Sequence, residues 1–217
     1  MSVVLNQARH RDFRAGGAVI GNEGSNRPSL ACINIGLVNN MPDAALRATE
    51  SQFISLLTQA AAERVVRLHF LTLPEIPRGD AENAHVQAAY TDIRELSAID
   101  LDALIVTGCE PRAGRLPDEP YWERLAALVD WAEHNTISTI WSCLAAHAAV
   151  LHLDGVERHR LGQKCSGVFA CRVVGDAPLL SGVRSPLRVS HSRWNELKSR
   201  ELISHGYQVL TLSLIHI

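Results

Sequence analysis

From about residue 30 onward, hydrophobic and polar positions follow two patterns in turn. Short, nearly continuous apolar runs predict buried strands, and stretches with apolar residues at helical spacing predict amphipathic helices. The predicted strands cover residues 32–38, 65–73, 101–106 and 136–141, and the predicted helices cover residues 43–62, 121–134 and about 144–153.

The order of these segments predicts the fold class. Strands that alternate with helices indicate βαβ units, and therefore a mostly parallel sheet with helices on both faces. We expect an α/β domain of the doubly wound, flavodoxin-like kind. Ligands bind such sheets outside the carboxyl ends of the strands. Three places qualify, which are the turn after Val38, the loop 107–115 and the junction 141–143.

The two ends of the chain differ from this pattern. Residues 1–28 are polar and rich in glycine, which predicts a flexible N-terminal leader. Arg9, His10 and Arg11 stand where a signal peptide would need an apolar run. Residues 212–217 match the translation of a common sequencing-library adapter, and we interpret them as a non-native tail. The α/β domain then covers residues 29–211.

Composition narrows the class of protein. The 217 residues are 47% hydrophobic, and 21 lysines and arginines against 23 acidic residues give a net charge of -2. This is globular composition, without the basic surplus that attracts nucleic acid or an acidic membrane. The 5 cysteines include no Cys-x-x-Cys pair, which argues against a disulfide framework or a zinc site. We expect a cytoplasmic protein with reduced thiols, no metal and no tightly bound cofactor.

The junction at Cys143 is the strongest candidate for chemistry. An apolar strand runs into Cys143, and an alanine-rich helix begins at once with Leu144. A side chain at such a turn is presented at the sheet edge, toward the unpaired N–H groups of the helix. Those groups stabilise a thiolate and, through the Leu144 N–H, an oxyanion formed by its attack on a carbonyl. The alternative is that Cys143 is one more small core residue, as free cysteines usually are.

The remaining cysteines give weaker signals. Cys32 lies in a predicted strand and is expected to belong to the core, and Cys165 and Cys171 flank a predicted strand. Cys109 follows Gly108 in the loop after a strand, where it either packs or lines a site.

Five short segments, in unbroken order over about residues 30–197, resemble the homoserine O-succinyltransferase family, which includes members that use acetyl-CoA. The implied fold is that of class I glutamine amidotransferases, in agreement with the predicted sheet. The segments are Asn39-Asn40-Met41-Pro42 with Thr49 to Phe53, Thr107-Gly108 leading to Tyr121-Trp122, residues 136–143, Lys164 to Phe169, and His191-Ser192-Arg193.

The resemblance implies transfer of an acyl group from acyl-CoA, as co-substrate, to the hydroxyl of L-homoserine in methionine biosynthesis. Cys143 matches the nucleophile that forms an acyl-thioester. Lys164 and Ser192 match positions that contact the amino acid, and Arg193 lies in the same predicted turn. From the sequence alone, a solvated surface lysine is the favoured interpretation of Lys164. The family also tends to form dimers, so a homodimer is expected.

Arg112 matches the position that helps to choose the acyl donor. A guanidinium there can pair with the free carboxylate of a succinyl group, which favours succinyl over acetyl. The alternative is that Arg112 pairs with Glu110 or Asp118.

Three departures from the family pattern limit what the resemblance implies. Asp43 and two alanines follow Pro42 where the family has lysines, and His147 stands where a glutamine is common. These changes suggest a divergent branch, with serine as a possible acceptor. The family's general base and its carboxylate lie in a Gly-His-Pro-Glu-Tyr-like segment, which we expect beyond residues 204–211. We therefore expect a truncated, inactive chain, since His147 more often packs at a helix surface than serves as the base.

Other functions remain open at this point. One is an acetyl-CoA-dependent homoserine or serine O-acetyltransferase. A second is a non-catalytic, amidotransferase-like binding domain, which would retain its function without Cys143. A third is a glutaminase or amidase, because thiolate chemistry on the same fold also hydrolyses amides.

Overall fold

The computed structural model of the chain describes residues 2–6, 32–174 and 180–213. The chain divides into two compact units, Met1–Ala149 and Val150–Ile217. None of the helices in the described ranges is both long enough and apolar enough to cross a membrane.

The first unit is built on a five-stranded sheet with the order β1-β3-β2-β4-β5, in which every pairing is parallel. The four strands and three helices predicted from the sequence are confirmed, with ends that differ by a few residues. The helix after β3, α2, was not predicted. The elements are β1 (Ser2–Asn6), β2 (Cys32–Val38), α1 (Asp43–Ala60), β3 (Val65–Leu71), α2 (Asp80–Ala89), β4 (Ala103–Val106), α3 (Trp122–Asn135), β5 (Ser138–Trp141) and α4 (Leu144–Asp154).

The strand order reverses at β2, which pairs with β3 on one side and with β4 on the other. In register, Ile35 faces Leu68 of β3 and Ala103 of β4. Such a reversal opens a crevice at the carboxyl ends of the two strands that diverge. The α/β fold class with a parallel sheet is therefore confirmed, and the crevice lies after Val38 and Val106.

Core side chains approach β2 closely at Gly36. One sheet face packs against α1, with Leu37, Leu46 and Leu68 fully buried. A Cβ on Gly36 would lie 2.8 Å from both Leu101 Cδ1 and Leu104 Cδ1. Because cores are close-packed, glycine at this position permits that approach.

The N-terminal segment contributes an edge strand. Ser2 pairs in parallel with Val65, and the pairing continues to Asn6 opposite His69. Within the leader predicted over residues 1–28, residues 2–6 therefore belong to the sheet, and residues 7–28 lie outside the described residues.

The second unit is an antiparallel sheet with the order β7-β6-β8. The prediction that His191–Arg193 form a turn is wrong, because they lie inside β7. The alternation of apolar and polar residues from Leu187 onward is the strand signal in that segment. The elements are β6 (His159–Val173), β7 (Leu187–Glu196), α5 (Ser199–Ser204) and β8 (Thr211–Ser213).

The last strand overlaps the segment interpreted as a non-native tail. This strand begins at Thr211. Leu212 pairs with Arg172, and Ser213 pairs with Cys171. Residues 214–217 lie outside the described residues.

Candidate functional site

Asn40 ties three strand ends together at the crevice. Its backbone N–H donates to Thr107 Oγ1 at 2.8 Å, and its Oδ1 accepts from the Leu73 N–H at 3.0 Å. The Thr107 N–H in turn donates to the Val38 carbonyl at 3.0 Å. Because Asn40 is buried, these bonds fix the loops that follow β2, β3 and β4 relative to each other.

Arg78 stabilises the turn after β2 by hydrogen bonds to its backbone. Its side chain is 3% exposed, and the guanidinium donates to the carbonyls of Asn39 and Met41. It also pairs with Asp43 at 3.3 Å, one of the residues that departs from the family pattern. A buried cation needs such partners to offset its desolvation. Asp43 thus stabilises the turn through its ion pair with Arg78.

Cys143 lies where β5 passes into α4, as the sequence predicts. The Ser142 N–H donates to the Val106 carbonyl at 2.9 Å, and the Ala146 N–H donates to the Cys143 carbonyl at 3.1 Å. Between these anchors Cys143 has a φ of 56°, a left-handed conformation that costs a non-glycine residue about 1–3 kcal/mol. The residue is exposed, and its strained strand-to-helix turn is the geometry that presents a nucleophile above a parallel sheet.

Gly108 leaves the space beside this turn open. A Cβ on Gly108 would lie 2.8 Å from the Leu144 backbone nitrogen and 3.2 Å from Cys143 Cβ. Leu144 is the first residue of α4, so its N–H has no intrahelical partner. A backbone donor next to a thiol is suited to bind an oxyanion that forms on that sulfur.

A cavity of about 170 Å³ opens at the same sheet edge, and Arg112 lines it together with Cys109 and Tyr121. Arg112 is exposed. No carboxylate in the described ranges lies within salt-bridge distance of its guanidinium, so the pairing with Glu110 or Asp118 that the sequence left open is not formed. The guanidinium is therefore available to an anionic ligand, in a cavity that Glu75 and Glu110 also line.

The second thiol of this region is a poor nucleophile. Burial raises the pKa of Cys109 to about 11, and a contact with the Tyr121 hydroxyl offsets this only in part. Burial also raises the pKa of Tyr121, and the neighbouring Cys109 and Glu119 add to that effect. At neutral pH Cys109 therefore lines the cavity as a protonated thiol. It reacts poorly, because the thiolate is the form that reacts.

The rate at which iodoacetamide alkylates Cys109 should follow this high pKa. Between about pH 7 and pH 10 the thiolate fraction, and hence the rate, rises about tenfold per pH unit. Peptide mass spectrometry of timed samples measures it, with circular dichroism at each pH as a check that the protein stays folded. A rate that levels off near pH 8 would contradict the burial of this thiol.

The substrate residues proposed from the resemblance lie in the second unit. Lys164 is exposed and falls in an irregular stretch of β6, where the register shifts between Arg160 and Cys165. Ser192 pairs with Ser166, and Arg193 pairs with Cys165. Since successive side chains of a strand point to opposite faces, Ser192 and Arg193 lie on different faces of the sheet.

The face that carries Arg193 is the more buried one. His191 shares it, 5.3 Å from the Phe169 ring and with Nε2 3.9 Å from Cys171 Sγ. Ser192 lies on the exposed face. A ligand on one face of this sheet therefore meets Ser192 or Arg193, but not both side chains.

Glu119 belongs to the site and was missed from the sequence. It is 4% exposed, and its Oε1 accepts from the backbone N–H groups of Arg112 at 2.8 Å and Ala113 at 2.9 Å. A glutamate between Asp118 and Pro120 gives every sign of a solvated residue, so no local signal marks it.

His147 is half-buried on α4, one helical turn beyond Cys143. Across the described residues no group of 3 or more His, Cys, Asp or Glu side chains is arranged to hold a metal ion.

Comparison with solved structures supports the fold. The structure of a GMP synthase protein from Thermoplasma acidophilum matches with a TM-score of 0.52 at 16% identity. The match covers 84% of this chain and 73% of that chain. At this identity the likeness shows the fold alone, which is the amidotransferase-like fold that the sequence resemblance implies.

Sequence comparison defines the family. A family model for homoserine O-succinyltransferase matches residues 7–215. Relatives named homoserine O-succinyltransferase from Rhodopseudomonas palustris and Bradyrhizobium japonicum are 61% and 57% identical, over 82% and 83% of this chain. The matches cover 54% and 56% of those relatives, so the chain spans about half their length. The chain belongs to the homoserine O-succinyltransferase family.

Proposed function

We propose that the protein transfers an acyl group, succinyl in preference to acetyl, from acyl-CoA to the hydroxyl of L-homoserine through a thioester on Cys143. The observation that carries this proposal is the strained, exposed Cys143 at the start of α4, beside the space that Gly108 leaves open. Family membership supplies the substrates. The reaction would serve methionine biosynthesis in the cytoplasm, and we expect the enzyme to act as a homodimer.

The chemistry divides into two transfers. In the first, the Cys143 thiolate attacks the thioester carbonyl of acyl-CoA, the Leu144 N–H binds the oxyanion, and the CoA thiolate leaves. In the second, the hydroxyl of homoserine attacks the acyl-cysteine, and the Cys143 sulfur leaves as the ester forms. The proton that the homoserine hydroxyl loses is taken up by the released CoA thiolate, which becomes free CoA. Acyl-CoA is a co-substrate in this scheme, and neither a metal nor a resident cofactor takes part.

Recognition of the two substrates is assigned to different residues. The Arg112 guanidinium would pair with the free carboxylate of a succinyl group, which an acetyl group lacks. For the amino acid, we assign direct contact to the exposed Lys164 and Ser192. Arg193 points to the other face of its sheet, so we give it an indirect role.

The test is to follow acyl groups on and off the protein. The protein at the full length of its relatives is incubated with succinyl-CoA or acetyl-CoA, and intact-mass and peptide mass spectrometry locate the adduct. We expect a succinyl group on Cys143, formed faster than the acetyl adduct, and its release as O-succinylhomoserine when homoserine is added. Faster loading by acetyl-CoA would overturn the donor preference, and preferential release to serine would overturn the acceptor.

Two further outcomes would overturn the acyltransferase proposal itself. One is that neither donor loads the full-length protein when its circular dichroism shows that it is folded. The other is ammonia release from glutamine without any CoA ester, which would identify an amidase.

A further inference from the structure

One carboxylate holds the loop that carries Arg112. Glu119 Oε1 accepts from two successive backbone N–H groups, those of Arg112 at 2.8 Å and Ala113 at 2.9 Å. Hydrogen bonds to a charged acceptor are about twice as strong as neutral ones. The Glu119 side chain is 4% exposed, and its Oε2 is fully buried. The two loop amides are therefore hydrogen-bond partners of this buried carboxylate, and the Tyr121 hydroxyl lies close to it.

Glu119 is itself fixed by the backbone on both sides. Its N–H donates to the Leu116 carbonyl at 3.1 Å, and its carbonyl accepts from the Trp122 N–H at 3.0 Å, where α3 begins. Leu116 and Tyr121, on either side of it in sequence, are each 2% exposed. The carboxylate thus connects the Arg112 loop to the buried start of a helix.

The loop would otherwise be poorly anchored. Glu110, Pro111 and Arg112 are all exposed, and the Arg112 guanidinium has no carboxylate partner in the described ranges. A long exposed side chain on an unanchored loop loses much entropy when it binds a ligand. An anchor at its own backbone N–H reduces that loss.

We propose that Glu119 is the positioning residue for acyl-donor specificity, because it fixes the backbone of Arg112 at the cavity where the free carboxylate of a succinyl donor would bind. The inference rests on the proposed function and goes beyond it by assigning the donor preference to a pair of residues. Glu119 touches no substrate and acts only through Arg112.

The test compares two donors in single-turnover loading of Cys143. Glu119→Ala should raise the half-saturating concentration of succinyl-CoA about tenfold, the equivalent of about 1.4 kcal/mol, with the limiting rate unchanged. The half-saturating concentration of acetyl-CoA should not change, because acetyl has no carboxylate for Arg112 to bind. Glu119→Gln retains a carbonyl acceptor for both loop amides but loses the charge, so it should raise the half-saturating concentration of succinyl-CoA less than Glu119→Ala does.

Controls separate positioning from simple loss of structure. Asp118→Ala removes the neighbouring exposed carboxylate and should leave both donors unaffected. If Glu119 acts through Arg112, Glu119→Ala should have no further effect on the succinyl donor in an Arg112→Ala background. Should Glu119→Ala fail to fold, Glu119→Asp, which keeps the charge but shortens its reach, replaces it with the same expected split between donors.

The outcomes distinguish this inference from the proposed function. If the full-length wild-type protein loads neither donor, the proposed function fails. If wild-type protein loads succinyl-CoA but the folded Glu119 variant shifts neither donor, or both equally, the positioning role is wrong and the acyltransferase function stands. A further loss in the Arg112→Ala background would also overturn it.

Discussion

Replacing Cys143 with alanine is expected to abolish loading of the protein by succinyl-CoA, with a loss of at least about 10³-fold. The reason is that no other described thiol combines exposure with a place at the start of a helix. Cys109 is held protonated by a pKa of about 11, and Cys171 is buried. Intact-mass spectrometry after a timed incubation measures the loss.

The matched control is Cys32→Ala. Cys32 is the first residue of β2, at the end of the strand opposite to the crevice, and it is half-buried like several other thiols of the chain. This variant should load at the wild-type rate. Undiminished succinylation of the Cys143→Ala protein would show that the adduct forms on another residue, and the proposed mechanism would then be wrong. The Cys143→Ala substitution should also relieve little backbone strain, because alanine is no better suited to a φ of 56° than cysteine.

The sequence was sufficient to predict the central sheet and the place of Cys143. The run before Val38 is a continuous apolar strand of the sheet interior, and it is visible without any structure. The run before Cys143 is visible too, but the burial expected for it is wrong, because β5 is an edge strand with Ile140 exposed. Once those strands are parallel, their carboxyl ends must meet at one edge. The proximity of Asn40, Gly108 and Cys143 therefore follows from local patterns and one rule of topology.

The sequence was not sufficient where a contact joins segments that carry no pattern of their own. Glu119 is a glutamate in a polar stretch, and only the folded loop shows that two backbone N–H groups point at it. Arg78 is a similar case, since its partners belong to a turn more than thirty residues away in sequence.

The turn predicted at His191–Arg193 was wrong for a different reason. A run of polar residues resembles a loop when it is considered alone, but in β7 every second residue from Leu187 to Arg193 is half-buried. A sheet with one wet face produces this alternation. The polar residues on the solvent-exposed face made the segment resemble a loop and hid its two-residue periodicity. The opposite orientations of Ser192 and Arg193 were therefore not predicted.

Replacing Gly108 with alanine should lower acyl loading of Cys143 by about 10²-fold, the typical cost of losing one oxyanion donor. Gly108 is not in the left-handed region, so the added methyl group acts through space alone. That methyl group would lie 2.8 Å from the Leu144 nitrogen, a backbone atom that cannot rotate away. It would therefore crowd the Leu144 N–H, which the proposed mechanism uses as the oxyanion donor.

Alkylation of Cys143 by iodoacetamide distinguishes this effect from a general disturbance. Substitution at the carbon of iodoacetamide builds no oxyanion, so its rate in Gly108→Ala should fall far less than the rate of acyl loading. Gly114→Ala is the matched control in the same loop, because its added Cβ would meet no atom within 4 Å in the described structure. Equal losses in both reactions, or wild-type loading by Gly108→Ala, would show that the Leu144 N–H does not bind the oxyanion. A loss confined to acyl transfer would instead assign that role to the backbone of α4, held open by the absence of a side chain at position 108.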